Sequence, residues 1–398
     1  MNCQVDRVLV IDPIFRGSRL FYSTMAANVG HRVTILTRSD AQTAESLAAL
    51  DCNAVDIREI VQTSHDSWYY FLGPAQLRQL ALGLEAALAE AVPDLIFCPG
   101  LDELGPGFVS YLCKNASQLR HTRVVGIYYT PTCEASVRIG KRRLRVPFAP
   151  NKPAGRFGQV AREFSALRRS GVDSACIGLL DEQMAEQLKH DTLFALFPDP
   201  PPPSPEPSPE LIAEARAQGG SPTLLLVGRQ SRRKGFPDIQ ALLDDHVDAL
   251  PGGSRIVLSG ELEAEMESAR EFISAHGEQM THIDCYLSEA EIRARYLAAD
   301  YVMLPYSRDF CGSSGVLASA TSAGKPVITT DHGLVGLRTK AHRLGYCYPS
   351  GDVDALARIV QHLPPVGSPE YTALQARCRA FADSNSVAAF QARLVKRS

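Results

Sequence analysis

Two segments of the sequence carry residues that could bind a diphosphate group. The first is TLLLVGR at 223–229, an apolar run typical of a buried strand, followed by a basic turn that contains Lys234. Arg229 and Lys234 therefore stand at the carboxyl end of a predicted parallel strand, where open α/β sheets bind their ligands. A planar arginine fork and a lysine point charge suit a diphosphate. The alternative interpretation is a solvated basic turn.

The second segment is a loop of small residues, Gly312-Ser313-Ser314-Gly315, between a predicted strand and a predicted helix. Free backbone N–H groups and the positive end of the helix dipole attract anions at the start of a helix. The loop is therefore a candidate anion site, and phosphate is the expected anion. Many α/β turns are built from Gly and Ser, so the loop alone is equally compatible with a structural turn. The order and separation of the two segments favour a phosphate site.

The composition is that of a globular protein with room for two domains. The 398 residues are 45% hydrophobic and 21% charged, with a formal net charge of −3. This balance predicts no specific nucleic-acid partner. The ten cysteines have no metal-ligand spacing, so we interpret them as reduced thiols of a cytoplasmic protein. We expect neither a leader peptide nor a spanning helix, since no apolar run reaches about 18 residues.

Strand and helix patterns alternate through both halves of the chain, which predicts an α/β fold. In the first half, the predicted strands lie at 7–11, 33–36, 95–98 and 124–129, and the predicted helices at 18–29, 74–91 and 179–189. In the second half, the predicted strands lie at 223–227, 255–258, 283–286, 301–304 and 327–330, and the predicted helices at 237–247, 262–276, 289–298 and 315–323. We expect two doubly wound Rossmann-like domains that face a central cleft.

A proline-rich run marks the boundary between the two halves. Eight of the twelve residues from 198 to 209 are proline, which predicts an extended, semi-rigid linker. A ligand for a proline-binding module is the alternative. The predicted organisation is an amino-terminal acceptor domain at 1–197, a linker at 198–221, a donor domain at 222–375 and a carboxyl-terminal helical segment at 376–398.

The order of motifs in the second half resembles that of a known enzyme family. GR and KG, then AADYVMLPYS, the small-residue loop, SAGKPVITTD and GD resemble the carboxyl-terminal domain of GT-B glycosyltransferases of the GT4 type, "glycosyl transferases group 1". The resemblance covers roughly residues 222–365, whereas only the architecture matches over 1–200. It implies that Arg229, Lys234 and the loop 313–316 bind the diphosphate of a nucleotide sugar, with UDP or GDP as the expected nucleotide. It also implies retaining transfer without a metal or other cofactor.

The chain departs from this family at two positions that usually carry glutamate, eight residues apart. Here they are Cys311 and Ser319. The second glutamate of the family binds ribose, so Ser319 is a candidate for a weaker ribose contact. Asp309 is a candidate contact to the donor sugar. The histidine that the family places in the amino-terminal domain is replaced by the stretch 128–131 (YYTP), and the catalytic residues stay unassigned.

Two features of the first half are candidates for contacts with the acceptor. The loop that contains Arg16, Gly17 and Ser18 follows the first strand, where the family places a loop near donor and acceptor; a plain turn is the alternative. Residues 138–169 contain ten Lys or Arg and one acid, Glu163. Such a segment suits an anionic surface at the inner membrane or a phosphorylated acceptor. A solvated face is the alternative.

The sequence favours a glycosyltransferase that uses a nucleoside diphosphate sugar. A non-catalytic relative that binds a nucleotide or glycan is the second interpretation, because both acidic positions are lost. A GT-B sugar epimerase is the third. The retained Arg229, Lys234 and phosphate loop favour the enzyme, since a scaffold needs none of them.

Overall fold

The chain forms two compact units in the computed structural model. The first comprises Met1–Asp199 and Val387–Ser398, and the second comprises Pro200–Ser386. The structure describes residues 5–13, 18–39, 55–62, 74–104, 107–129, 137–139, 142–144, 156–263, 266 and 269–396.

The first unit is built on a parallel sheet. Its strands are β1 (Val5–Ile11), β2 (Gly30–Ser39), β3 (Val55–Gln62), β4 (Leu95–Cys98), β5 (Arg123–Tyr128), β6 (Val137–Ile139), β7 (Arg142–Leu144), β8 (Cys176–Leu179) and β9 (Phe194–Leu196). Its helices before the second unit are α1 (Ser18–Ala27), α2 (Pro74–Glu90), α3 (Leu101–Leu104), α4 (Phe108–Lys114), α5 (Arg156–Arg169) and α6 (Glu182–Leu188). Seven strands pair in the order β3-β2-β1-β4-β5-β8-β9, and β6 and β7 form a separate antiparallel pair.

The second unit repeats this architecture with six parallel strands. They are β10 (Thr223–Val227), β11 (Arg255–Ser259), β12 (Met280–Ile283), β13 (Tyr301–Leu304), β14 (Val327–Thr330) and β15 (Gly345–Tyr348), in the order β12-β11-β10-β13-β14-β15. Its helices are α7 (Pro209–Ala217), α8 (Phe236–His246), α9 (Ala269–Ala275), α10 (Glu289–Ala298), α11 (Gly315–Ser322), α12 (Gly333–His342), α13 (Val353–Gln361) and α14 (Pro369–Ser384), with short 3-10 turns at Arg232–Lys234 and Val247–Ala249. The expectation of two doubly wound domains is confirmed.

Helices cover both faces of each sheet. In the second unit, Leu224 of β10 packs with Phe236 of α8 in one apolar cluster. Leu225, the next residue of the strand, packs with Leu317 of α11 in another cluster. Because successive strand residues point to opposite faces, all five residues of β10 are buried, which explains its unbroken apolar sequence.

The proline-rich run differs from the expected linker. Residues 209–217 form α7, whose first turn is capped by Ser208: its hydroxyl accepts a hydrogen bond from the N–H of Leu211 at 3.3 Å. Pro209 stands at the start of this helix, where its missing N–H costs no hydrogen bond. The predicted linker therefore includes a helix of the second unit.

The carboxyl-terminal residues also differ from the predicted segment at 376–398. The boundary predicted at 375 falls inside α14, which belongs to the second unit. The last helix, α15 (Val387–Val395), returns to the first unit. There Phe390 is fully buried, with its ring centroid 5.2 Å from that of Tyr22 and 5.6 Å from that of Phe197. Among the described residues, no helix combines the length and apolar character that a bilayer crossing requires.

Candidate functional site

The candidate site lies where the strand order of the second sheet reverses. β10 pairs with β13, with Leu224 opposite Tyr301, although these strands are far apart in sequence. From β10 the chain continues to β11 and β12 on one side, and from β13 to β14 and β15 on the other. The carboxyl ends of two such strands border the crevice in which open α/β sheets bind ligands. Both predicted phosphate segments follow these two strands.

The turn after β10 is held against the loop after β13. Gly235 adopts a φ of 83°, and a Cβ there would lie 1.6 Å from the carbonyl oxygen of Pro305. The N–H of Ser307 donates to the carbonyl of Arg233 at 3.0 Å, and the Arg233 guanidinium lies 5.1 Å from the ring centroid of Phe310. The structure thus brings together the two segments that sequence analysis singled out separately.

Lys234 is the cation nearest to this strand end among the predicted ligands. Its Nζ lies 3.5 Å from the carbonyl oxygen of Val227, and a Cβ at Gly228 would lie 2.8 Å from it. Burial and, to a smaller extent, the neighbouring Arg233 together lower the pKa of Lys234 to about 8, whereas Glu263 opposes the shift. An ammonium group so placed favours an anionic partner.

Arg229 differs from Lys234 in its exposure. Its side chain is 58% exposed, and its Nη2 lies 3.4 Å from a carboxylate oxygen of Glu261. An exposed ion pair of this length is weak, so the guanidinium can exchange its partner at little cost.

The small-residue loop leads into α11 as predicted. Ser314 caps the helix: its hydroxyl accepts a hydrogen bond from the N–H of Leu317 at 3.4 Å and lies 3.1 Å from the Tyr306 hydroxyl. Gly315 is exposed, while Ser313 and Val316 are half-buried. The Ser314 side chain is therefore occupied in shaping the turn. Any anion would be bound by main-chain N–H groups, and their role as ligands stays a prediction.

Ser319 and Asp309 occupy different surroundings. Ser319 is half-buried in α11, and its hydroxyl is hydrogen-bonded to Tyr296, a buried residue of α10. A ribose contact by Ser319 would share or replace that bond. Asp309 is exposed in the loop after β13. Neither contact with a donor is tested by the structure.

The structure adds residues to the site that sequence analysis had not connected. Cys311 is buried, and its Sγ lies 3.5 Å from Nε2 of His332, the residue before α12. The N–H of Leu334 donates to the Cys311 carbonyl at 3.0 Å, so this loop is held against the start of α12. The hydroxyl of Ser307 is buried without a hydrogen-bond partner in the described part of the chain. The predicted donor loop therefore adjoins the starts of two helices.

The candidate residues of the first unit are only partly described. Arg16 and Gly17 lie outside the described residues, and Ser18 is the first residue of α1. Tyr128 is buried, with its ring centroid 4.9 Å from that of Phe157, so it belongs to the core. The N–H of the half-buried Tyr129 donates to the buried carboxylate of Asp102 at 2.8 Å. Residues 130 and 131 lie outside the described part.

The basic segment forms the β6–β7 pair and α5. Arg138 and Arg143 are register partners in the antiparallel pair. Arg162 and Arg169 are exposed and seven residues apart, so they lie on one face of α5. Arg168, in contrast, donates hydrogen bonds to main-chain carbonyls of its own unit. At least one of the ten cations is thus structural.

Metal-ligating side chains do not cluster in the described residues: no group of three or more His, Cys, Asp or Glu residues could hold an ion there. The expectation of metal independence stays a prediction, because it concerns the reaction.

Comparisons with known proteins identify this architecture. Residues 221–364 match the family model described as "Glycosyl transferases group 1". HepE of Anabaena, solved in complex with UDP, has a TM-score of 0.64 at 14% identity, with 98% of each chain covered. A glycosyltransferase of Rickettsia africae has a TM-score of 0.64 at 11% identity, over 99% of this chain and 100% of that one. Sucrose-phosphate synthase of Thermosynechococcus elongatus has a TM-score of 0.60 at 16% identity, over 98% and 96%.

The chain has the GT-B fold. A comparison with curated protein sequences found no match. The family match covers β10 to β15 and so includes both loops of the candidate site. The resemblance predicted from the motifs is confirmed over this segment, whereas the first unit shares the GT-B architecture alone.

Gly235 should be essential for bringing the two loops of this GT-B unit together. A Gly235→Ala substitution would force the Pro305 carbonyl away and strain a left-handed φ, so we expect the free energy of unfolding to fall by about 2–4 kcal/mol. Urea denaturation measures the change. Gly252→Ala is the matched control, because a Cβ at Gly252 meets nothing within 4 Å. Equal stability of the two variants would show that the contact is dispensable.

Proposed function

We propose that this protein transfers a sugar from a nucleoside diphosphate sugar to an acceptor, with UDP or GDP as the nucleotide. The observation that carries the proposal is the contact of the Lys234 turn with the loop that leads from β13 to α11, at the β10–β13 reversal. An ammonium group stands in one of these contacting segments and the start of a helix ends the other, and both are groups that bind a diphosphate. The family match over 221–364 and the UDP-glucose bound by HepE support this assignment.

In the proposed transfer reaction, the positively charged side chains and the main-chain N–H groups act on the leaving diphosphate. The bond between the anomeric carbon and the diphosphate oxygen breaks, and negative charge grows on the departing diphosphate. Lys234, Arg229 and the N–H groups of 314–316 would stabilise that charge, because fixed donors aimed at developing charge lower the barrier. We further propose that the anomeric configuration is retained, that the first unit binds the acceptor, and that the enzyme is of the GT4 type. No side chain is assigned as catalytic.

A non-catalytic nucleotide- or glycan-binding protein is the second candidate function. It is favoured by the positions that lack glutamate, since Cys311 contacts His332 and Ser319 contacts Tyr296. Neither pair supplies a carboxylate. Tight UDP or GDP binding without hydrolysis or transfer of any UDP- or GDP-sugar would support this second function over the first.

Arg229 should contribute to nucleotide affinity. Because its side chain is 58% exposed, solvent limits the loss in Arg229→Ala to about 1–1.5 kcal/mol, or roughly five- to tenfold in the Kd for UDP. Titration calorimetry measures this difference. Arg232→Ala is the matched control, because it removes an exposed positive charge from the same turn. Unchanged affinity in a folded Arg229→Ala protein would remove Arg229 from the site.

Transfer should not need a divalent metal. Lys234 and Arg229 supply positive charge to the leaving diphosphate, which is the role that a bound Mg²⁺ would otherwise fill. Donor hydrolysis or transfer should therefore proceed at an unchanged rate in excess EDTA. Activity that disappears with EDTA and returns with Mg²⁺ or Mn²⁺ would contradict this expectation.

Nucleotide binding should weaken in mild alkali because of Lys234. Its pKa of about 8 in the free protein means that the ammonium loses its proton as pH rises through 8, whereas a bound diphosphate favours the protonated form. Affinity for UDP should thus be full below this pKa and fall about tenfold between pH 7 and about 9. Lys234→Arg should abolish the decline, since guanidinium keeps its charge. A decline of equal size in Lys234→Arg would assign it to another group.

The exposed arginines of α5 are proposed to contact an anionic acceptor or membrane surface at the cytoplasmic face. Arg162 and Arg169 supply exposed positive charge on one face of α5, which attracts anionic headgroups. Co-flotation with vesicles that contain phosphatidylglycerol should fall when both are changed to Glu. Arg78 and Arg120, exposed elsewhere in this unit, provide a matched double Glu control. Equal flotation of the two double variants would exclude the proposal.

A further inference from the structure

The proline segment, residues 200–208, is fixed along the second unit. It begins at the boundary between the units and ends at Ser208, the cap of α7. The preceding residue, Asp199, is buried and accepts a hydrogen bond from the Tyr22 hydroxyl at 2.5 Å. The carboxyl-terminal end of the segment is therefore set by the start of α7 within the second unit.

Two side chains of the proline segment contact one face of α10. The Ser204 hydroxyl is hydrogen-bonded to the carboxylate of Glu289, and a carboxylate oxygen of Glu206 lies 3.8 Å from Nη2 of Arg293. Glu289 and Arg293 are four residues apart, so they are neighbours on the helix surface. The Ser204 hydroxyl also lies 3.4 Å from the Pro202 carbonyl oxygen. The Ser204 hydrogen bonds restrain the chain next to Pro202, whereas the long, exposed Glu206–Arg293 pair adds little.

Pro202 lies beside the first residue of α11. A Cβ at Gly315 would be 3.8 Å from Cγ of Pro202, which is ordinary van der Waals contact. Gly315 is exposed, and its N–H group belongs to the first turn, where helix donors have no partner within the helix. The proline ring is apolar and its nitrogen carries no hydrogen. It can therefore cover this turn without competing for an anion.

We propose that Pro202 is a positioning residue for the donor diphosphate. Its ring shields one side of the first turn of α11 from water and holds that turn in place, so the N–H groups bind phosphate more strongly. A hydrogen bond to an anion strengthens as water is excluded, which supplies the physical reason. The inference rests on the proposed function, because it names a further residue of the same site.

The test compares Pro202→Ala with Pro203→Ala, which shortens an exposed neighbour in the same segment. The probes are UDP, GDP, inorganic pyrophosphate and uridine, measured by calorimetry on the full chain. We expect Pro202→Ala to weaken UDP, GDP and pyrophosphate binding about fivefold, at the scale of one hydrogen bond. Uridine binding and thermal stability should not change. Pro203→Ala should match the wild type. Pro202→Val should keep most of the wild-type affinity, because the valine side chain is also apolar and covers the same turn.

A double-mutant cycle that combines Pro202→Ala with Ser204→Ala tests whether Ser204 holds Pro202 in place. If Ser204 acts by holding Pro202, the double variant should lose no more affinity than Pro202→Ala alone. Wild-type protein that binds neither UDP nor GDP would refute the proposed function. Wild-type binding with equal affinities in Pro202→Ala and Pro203→Ala would refute the positioning role alone. An equal loss for uridine and for UDP would also refute it, since a general structural effect does not distinguish the phosphates.

Discussion

The candidate site depends on the parallel pairing of β10 with β13. These adjacent strands send their following helices to opposite faces of the sheet, α8 to one apolar cluster and α11 to the other. A crevice therefore opens at their carboxyl ends, and the free N–H groups at the start of α11 border it. Gly235 lets the β10 turn approach the main chain at Pro305 within this crevice. The lysine of one segment and the loop of the other can share a ligand only because of this pairing.

The surroundings of two cations distinguish a structural role for one from a candidate binding role for the other. In the first unit, the buried Arg123 donates to the carbonyls of Leu394 and Arg393, and so fastens the end of α15. In the described part of the chain, Lys234 donates one hydrogen bond, to the Val227 carbonyl at 3.5 Å, which is at the long limit for such a bond, and it lies beside the cation Arg233. A buried charge that is poorly neutralised destabilises the folded state, and a bound ligand of opposite charge removes this cost. This cost is what a binding role for Lys234 would explain.

The sequence predicted the elements whose local signals are unambiguous. β10, β13 and β14 have the expected bounds, because each is a short run of apolar or β-branched residues that is buried on both faces. α10 also has them, since Ser288 and Glu291 form a capping box at its start. β12 was expected at 283–286 but lies at Met280–Ile283. Residues 284–286 instead form an exposed loop in which Tyr286 is 87% exposed, so an aromatic residue gave a false strand signal.

The remaining differences arise from contacts between residues distant in sequence. A helix was expected at 262–276, but Leu262 forms a β-bridge with Gln230, and α9 covers Ala269–Ala275. The contact of Cys311 with His332 and that of Tyr296 with Ser319 likewise join separate elements. Local propensity carries no information about such pairs, since it reflects only neighbours along the chain.

The proline segment also makes contacts that its own sequence does not predict. Its composition correctly predicts a backbone with few N–H donors, which cannot enter a sheet and needs no hydrogen-bonded partner. That property does not determine what the rings and intervening side chains contact. The contacts of the segment depend on α10, where Glu289 meets Ser204 and Arg293 meets Glu206. A run whose composition is typical of a spacer is therefore part of the second unit, where it contacts a helix about ninety residues away in sequence.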